Sequence, residues 1–219
     1  MGFKLLFISL LMATSSLEEG EKLFLDNQPQ QALPALEAAL YEEPQNERIY
    51  LYLGIIYAQL GDAERSLQIM RRGLNVAREY LDRLYYNIAN LHFRQGEYRL
   101  AEEMYGKALE ANRRFGEGYL NRAQARMELE AYADARTDYI QYLRLVPDSP
   151  QRPEIEKLIA LLEQALAAAE LKRQQELAQQ QALLNAVLDS LKNASEDTRN
   201  LSAGSEEIEE EYEEIDITE

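Results

Sequence analysis

Apolar residues return every three to four positions on either side of Gly96, with Tyr85, Ile88 and Leu91 before it and Tyr105 and Leu109 after it. This spacing predicts two short amphipathic helices, over residues 85–94 and 98–110. Gly96 supplies the left-handed backbone that ends the first helix and turns the chain into the second. Ala89 and Ala101 lack bulk where the helices would cross, so the backbones can approach closely. The predicted unit is a helical hairpin.

The same pattern recurs on both sides of this hairpin. The small residue of the first helix is Gly20, Gly54, Ala89 and Ala123, and that of the second is Ala32, Ser66, Ala101 and Ala135; both series step by 34, 35 and 34 residues. At the turn stand Asn27, Gly61, Gly96 and Glu130, at the large second-helix position Leu36, Met70, Tyr105 and Tyr139, and at the close Pro44, Arg78, Arg113 and Pro147. The 35-residue step comes from an extra residue near Tyr80, expected to be absorbed in the following loop. Pro29 suits the first turn of a helix, whereas Pro34 falls nearer the interior, where it would distort it.

A helix–turn–helix period near 34 resembles the tetratricopeptide repeat. The resemblance covers residues 16–147, in copies at 16–46, 47–81, 82–115 and 116–147. It implies an all-α fold, a right-handed superhelical solenoid of about four hairpins in which each repeat packs on its neighbours. Some positions depart from the family pattern: Glu130 stands at a turn glycine, His92 and Arg126 stand where the family usually has tyrosine, and Arg78 and Arg113 stand where the middle two copies would have the closing proline. The resemblance also puts the first helices on the concave side. Its outward positions there are Leu51, Tyr52, Ile55, Tyr86, Asn87, Asn90, Phe93, Arg94, Asn121 and Gln124, a set suited to an extended peptide or helix of a partner protein. Members that clamp a partner's terminal carboxylate use lysine and asparagine where this chain has Leu17 and Glu21, or Leu51 and Ile55; Asn121 alone agrees with that set.

Asp148-Ser149-Pro150 marks a break, after which residues 153–192 read as one helix. Its first stripe, Ile155, Leu158, Ile159, Leu162, Leu166 and Ala169, is expected to cap the apolar flank of the fourth repeat. A second stripe, Leu183, Leu184, Val187, Leu188 and Leu191, follows a polar interval. Three readings stand for it: pairing with a copy of itself in a homo-oligomer, pairing with another protein's helix, or bending back onto the cap. The stretch ALLNAVLDSLKNASEDTR is similar to the tail of tetratricopeptide proteins encoded with bacterial aerotolerance proteins, which implies a partner with a von Willebrand A domain.

Charge narrows the partners. The chain of 219 residues has a formal charge of −16, which argues against general binding to nucleic-acid phosphates. Residues 206–219 hold nine acids and no bases, so residues 193–219 are expected to be a disordered acidic tail. At the other end, Lys4, the apolar run 5–12 and the small residues 13–16 have the order of a secretory signal peptide, with cleavage expected after Ser15 and export to a periplasm or cell envelope. The competing reading is an apolar helix that packs on the first repeat.

Little catalytic chemistry is visible. There is no cysteine, and the one histidine, His92, stands at a packing position with no serine or cysteine to activate. The glycines are spread along the repeats rather than gathered in a phosphate loop, and the acidic run 209–214 lacks the loop geometry of a calcium site. No enzyme, cofactor or metal centre is expected. The expected function is a non-enzymatic adaptor in the assembly of an envelope complex, with a self-associating scaffold as its rival.

Overall fold

The computed structural model describes residues 15–210, with side chains described through Ser195. Among these residues the regular elements are helices, and the chain divides after Glu163 into two compact units. The first unit contains four hairpins: α1 (Ser16–Leu25) with α2 (Pro29–Glu42), α3 (Glu47–Gln59) with α4 (Ala63–Gly73), α5 (Leu81–Arg94) with α6 (Tyr98–Ala111), and α7 (Gly116–Glu128) with α8 (Tyr132–Leu145).

All four turns use the same backbone device. Asn27, Gly61, Gly96 and Glu130 have φ of 56°, 84°, 76° and 58°, the left-handed region expected for each from its place in the repeat. Helix starts are fixed locally as well. Ser15 and Glu18 form a reciprocal capping box on α1, Asn46 accepts from the Arg48 N–H, and Asp62 accepts from the Arg65 N–H. Ser15 is therefore part of the folded edge, and cleavage after it would remove a cap worth about 1 kcal/mol. Residues 1–14 of the expected leader lie outside the described residues.

Close approach at the crossings follows from the small residues. A Cβ on Gly20 would stand 2.6 Å from Leu36 Cγ, and one on Gly54 would overlap the Met70 side chain. Ala32, Ala89, Ala101, Ala123 and Ala135 are fully buried at the corresponding sites. Ser66, also buried, donates its hydroxyl to the Gly54 carbonyl at 2.6 Å, so its polar group is satisfied inside the crossing. Pro34 is accommodated within a continuous α2.

Two layers result. Each helix contacts its sequence neighbours through α8, and the first helices also contact one another, α1 with α3, α3 with α5 and α5 with α7. No such contact joins the second helices among the described residues. The first helices are thus the closely spaced inner layer and the second helices the splayed outer one. The extra residue before α5 lies in a loop held by Glu47, whose carboxylate accepts from the backbone N–H groups of Arg78, Glu79 and Tyr80. Pro44 closes the first hairpin by accepting a 2.8 Å bond from the Tyr50 hydroxyl.

The last helix, α9, spans Arg152–Glu210. Its first turns complete the first unit: Ile155 and Leu162 are buried, and Leu158 and Ile159 partly so, in one cluster with Tyr139, Tyr142 and Leu143. Arg152 ties this start to the end of α8 by donating to the carbonyls of Leu143 and Pro147, each at 2.7 Å. The helix does not end at Lys192 as expected. Polar but helix-compatible residues carry it on through Gly204 to Glu210, because no proline intervenes. Residues 211–219 of the expected acidic tail lie outside the described residues. Among the described residues the second unit is the remainder of this helix, and from Ala167 to Ser195 every residue is exposed.

Candidate interaction groove

Ten inner-layer positions are expected from sequence to face a partner, and the structure sorts them into three kinds. Leu51 is buried at 3% exposure in the core of the first hairpins, so it faces no groove. The reason is its register: it precedes Gly54 by about one helical turn and packs with Tyr50, Leu53 and Ile56, all of them buried. Ile55 is half-buried against the same cluster, and Tyr52 is half-buried with its ring 4.9 Å from that of Phe24.

A second set is engaged in an internal polar network. Asn121 on α7 donates its amide to the Tyr86 hydroxyl at 2.9 Å and to Asn90 Oδ1 at 3.1 Å. Asn90 Oδ1 also accepts from the Tyr105 hydroxyl at 2.6 Å. Side chains of α5, α6 and α7 are thereby locked together, with the Tyr86 ring packed edge-on against Phe115 at 4.9 Å. Burial pushes the Tyr86 and Tyr105 hydroxyls above the ordinary tyrosine range, with hydrogen bonds to the neighbouring carboxamides acting in the opposite direction. Asn87 bonds back to its own helix through the Arg83 carbonyl at 2.8 Å. Through these bonds the carboxamides help build the wall of the groove.

The third set is more open. Phe93 is half-buried, with its ring 5.3 Å from that of Tyr98, while Arg94 and Gln124 are exposed. Gln124 belongs to a hollow of about 430 Å³ whose other lining residues are Leu120, Tyr139, Pro150, Gln151, Glu154, Ile155 and Leu158. Here α7 supplies one wall and the start of α9 the other, so α9 serves as the inner helix that follows α8. Leu120, Ile155 and Leu158 make the floor apolar, whereas Gln124, Gln151 and Glu154 provide a polar rim. Sequence reasoning assigns this part of α9 only a capping role and so misses its share of the groove. Gln151 and Glu154, polar positions beside the capping stripe, carry the available signal.

Beside the groove, Asp138 on α8 is 2% exposed and paired with two arginines. Arg122 grips it with two 2.8 Å bonds, and Arg126 donates to it at 2.8 Å while also donating to Glu102 on α6 at 2.8 Å. Although burial pulls the Arg122 guanidinium down, its hydrogen bonds and charge interaction with Asp138 hold it above its usual value. Arg126, in place of the usual tyrosine, is thus the hub that joins three helices. His92 is buried and its Nδ1 lies 2.6 Å from Glu97 Oε2, a packing position capped by one carboxylate. Among the described residues no group of three metal-ligating side chains converges, and no helix is long and apolar enough to cross a membrane.

Residues 45–114 and 86–150 each match a family model described as tetratricopeptide repeat. A stretch of 93 residues, 42% of this chain, is 30% identical to RNA polymerase II-associated protein 3 of Rattus norvegicus, and it spans only 14% of that protein. Among solved structures, MamA superposes with a TM-score of 0.58 at 17% identity, covering 68% of this chain and 84% of that one. A tetratricopeptide repeat protein from Parabacteroides merdae also gives 0.58, at 20% identity, over 68% of this chain and 59% of its own. These relatives give no support to a von Willebrand A-domain partner. The 34-residue period, the four left-handed turns, the two helical layers and the matched models together identify the hairpins of this chain as tetratricopeptide repeats.

Proposed function

We propose that the chain is a non-enzymatic adaptor that binds a segment of a partner protein along its inner helices, with the anchoring side chain in the hollow between α7 and the start of α9. The observation that carries this reading is the hollow itself: an apolar floor of Leu120, Ile155 and Leu158 under a rim of exposed amides and one carboxylate. A concave apolar site with a few polar groups at its edge suits one aliphatic or aromatic anchor, flanked by backbone that bonds to the amides. Tyr86, Asn90 and Asn121, held by their mutual bonds, stiffen the adjoining wall so that little order must be gained on binding.

The order of charge, apolar run and small residues at the N-terminus supports export, and the adaptor's place in this reading is the assembly of an envelope complex. N-terminal sequencing of the protein recovered from fractionated cells tests this part: a mature chain beginning near Ser16 supports it, and an intact Met1 opposes it.

Binding is tested by selecting a displayed peptide library on the full chain and measuring the selected peptides against variants. Gln124→Arg and Glu154→Arg change exposed rim positions and leave the floor intact. Weakened peptide binding in both supports the site, and full retention in both overturns it.

A further inference from the structure

The second unit presents an apolar face that the repeats do not explain. Leu177, Leu184 and Leu191 are 56%, 52% and 62% exposed, and Val187 and Leu188, between the last two, are 47% and 54% exposed. The leucines step by seven and Val187 falls three after Leu184, so together they occupy the two core positions of a heptad repeat. Such a seam on an uninterrupted helix calls for an opposing helix of the same period.

Charge determines which helix fits and in which direction. Lys172 and Arg173 are the one adjacent pair of bases in the α9 sequence, whereas Glu206, Glu207, Glu209 and Glu210 lie at its far end. A parallel copy would set each acidic end beside its twin. An antiparallel copy centred on Asp189 holds the acidic ends roughly 55 Å apart at the α-helical rise, far beyond the screening length. It also sets Lys172 and Arg173 beside the acidic end of the second copy.

That centre gives a consistent core as well. Val187 meets Leu191 of the second copy, Leu184 meets the small Ala194, and Leu177 meets position 201, which the sequence again fills with leucine. Gln180 meets position 198, a threonine, so polar core positions oppose each other and fix the register. A slip by one heptad sets Gln180 against Leu191 in one direction and Val187 against Thr198 in the other. From the exposed heptad seam, the charge order and this matching of layers, we infer that the helix after Glu163 pairs with the same helix of a second copy, antiparallel and centred on Asp189. The pairing goes beyond the groove's proposed role and stands independently of it.

The absence of cysteine from the chain makes the register directly measurable. Full-length Val187→Cys and Leu191→Cys chains are prepared separately, mixed and oxidised, and light scattering records the mass of the cysteine-free protein. The expected results are twice the monomer mass, a disulfide-linked heterodimer in the mixture, and little self-linking by either variant alone. Leu184→Glu with Leu191→Glu should return the mass to 25.2 kDa. Efficient self-linking of Leu191→Cys would show a parallel pair and overturn the inference. A monomeric cysteine-free protein at high concentration would overturn it too.

Discussion

Arg126 on α7 and Asp138 on α8 are joined at 2.8 Å, and the buried Asp138 charge is balanced by this arginine together with Arg122. Asp138→Ala therefore leaves two guanidinium groups without their shared partner. The expected loss is about 3–5 kcal/mol, the usual penalty for breaking a buried pair from one side. Urea unfolding of the two proteins measures it, and a loss below about 1 kcal/mol, the range of an exposed pair, would contradict the burial described.

Glu130 holds a left-handed φ of 58° where two of the other three turns use glycine. An L-residue with a Cβ is disfavoured there by about 1–2 kcal/mol. Glu130→Gly is expected to raise the melting temperature by about 2–4 °C, equivalent to about 1 kcal/mol for a chain of this size. Gly61→Ala, at a φ of 84° with open space around the Cβ position, should lower it by a similar amount through backbone strain alone. Calorimetry of both variants reads the two shifts, and shifts of the same sign would contradict the account.

Gly54 fails for a different reason when enlarged. Its Cβ would overlap Met70 in the hairpin crossing, although its own φ lies outside the left-handed region. Gly54→Ala should cost about 1–3 kcal/mol by overpacking, and Met70→Ala in the same chain should relieve part of that clash while adding its own cavity. A double-mutant cycle by thermal unfolding reads the coupling, and simple additivity would contradict the contact.

Turn positions are legible in the sequence because each repeat needs a left-handed residue at one offset, and the period identifies Glu130 even without a glycine. Crossing residues are legible because only small side chains fit there. Burial within a first helix is less so: Leu51 and Ile55 lie four residues apart on one helix, yet only the packing of the neighbouring hairpin separates core from groove. Asn90 and Asn121 are polar and half-buried, and their pairing across 31 positions leaves no periodic signal. The end of α9 is hidden because acidic composition reads as a disorder signal, whereas helix propensity permits the backbone to continue to Glu210.

Alkaline pH probes the tyrosine network. Burial raises the Tyr86, Tyr105 and Tyr139 hydroxyls above the ordinary value of 10.0. Their contribution to stability is fully present below that value and is lost as pH climbs toward the raised folded-state values, because the unfolded chain gives up these protons first. Phenolate absorbance of the native protein should therefore lag behind that of the urea-unfolded chain above pH 10.0. Coincident titration curves would contradict the buried network.

The groove is tested most directly by the affinity of a library-selected peptide for four full-length proteins: the unaltered chain, Gln124→Arg, Glu154→Arg, and Tyr41→Ala on the outer helix α2, where Tyr41 is 91% exposed. The prediction is a loss of about tenfold or more for each rim variant, the scale of about 1.4 kcal/mol, with Tyr41→Ala indistinguishable from the unaltered chain. Unchanged affinity in both rim variants, or loss confined to Tyr41→Ala, would contradict a binding site between α7 and α9.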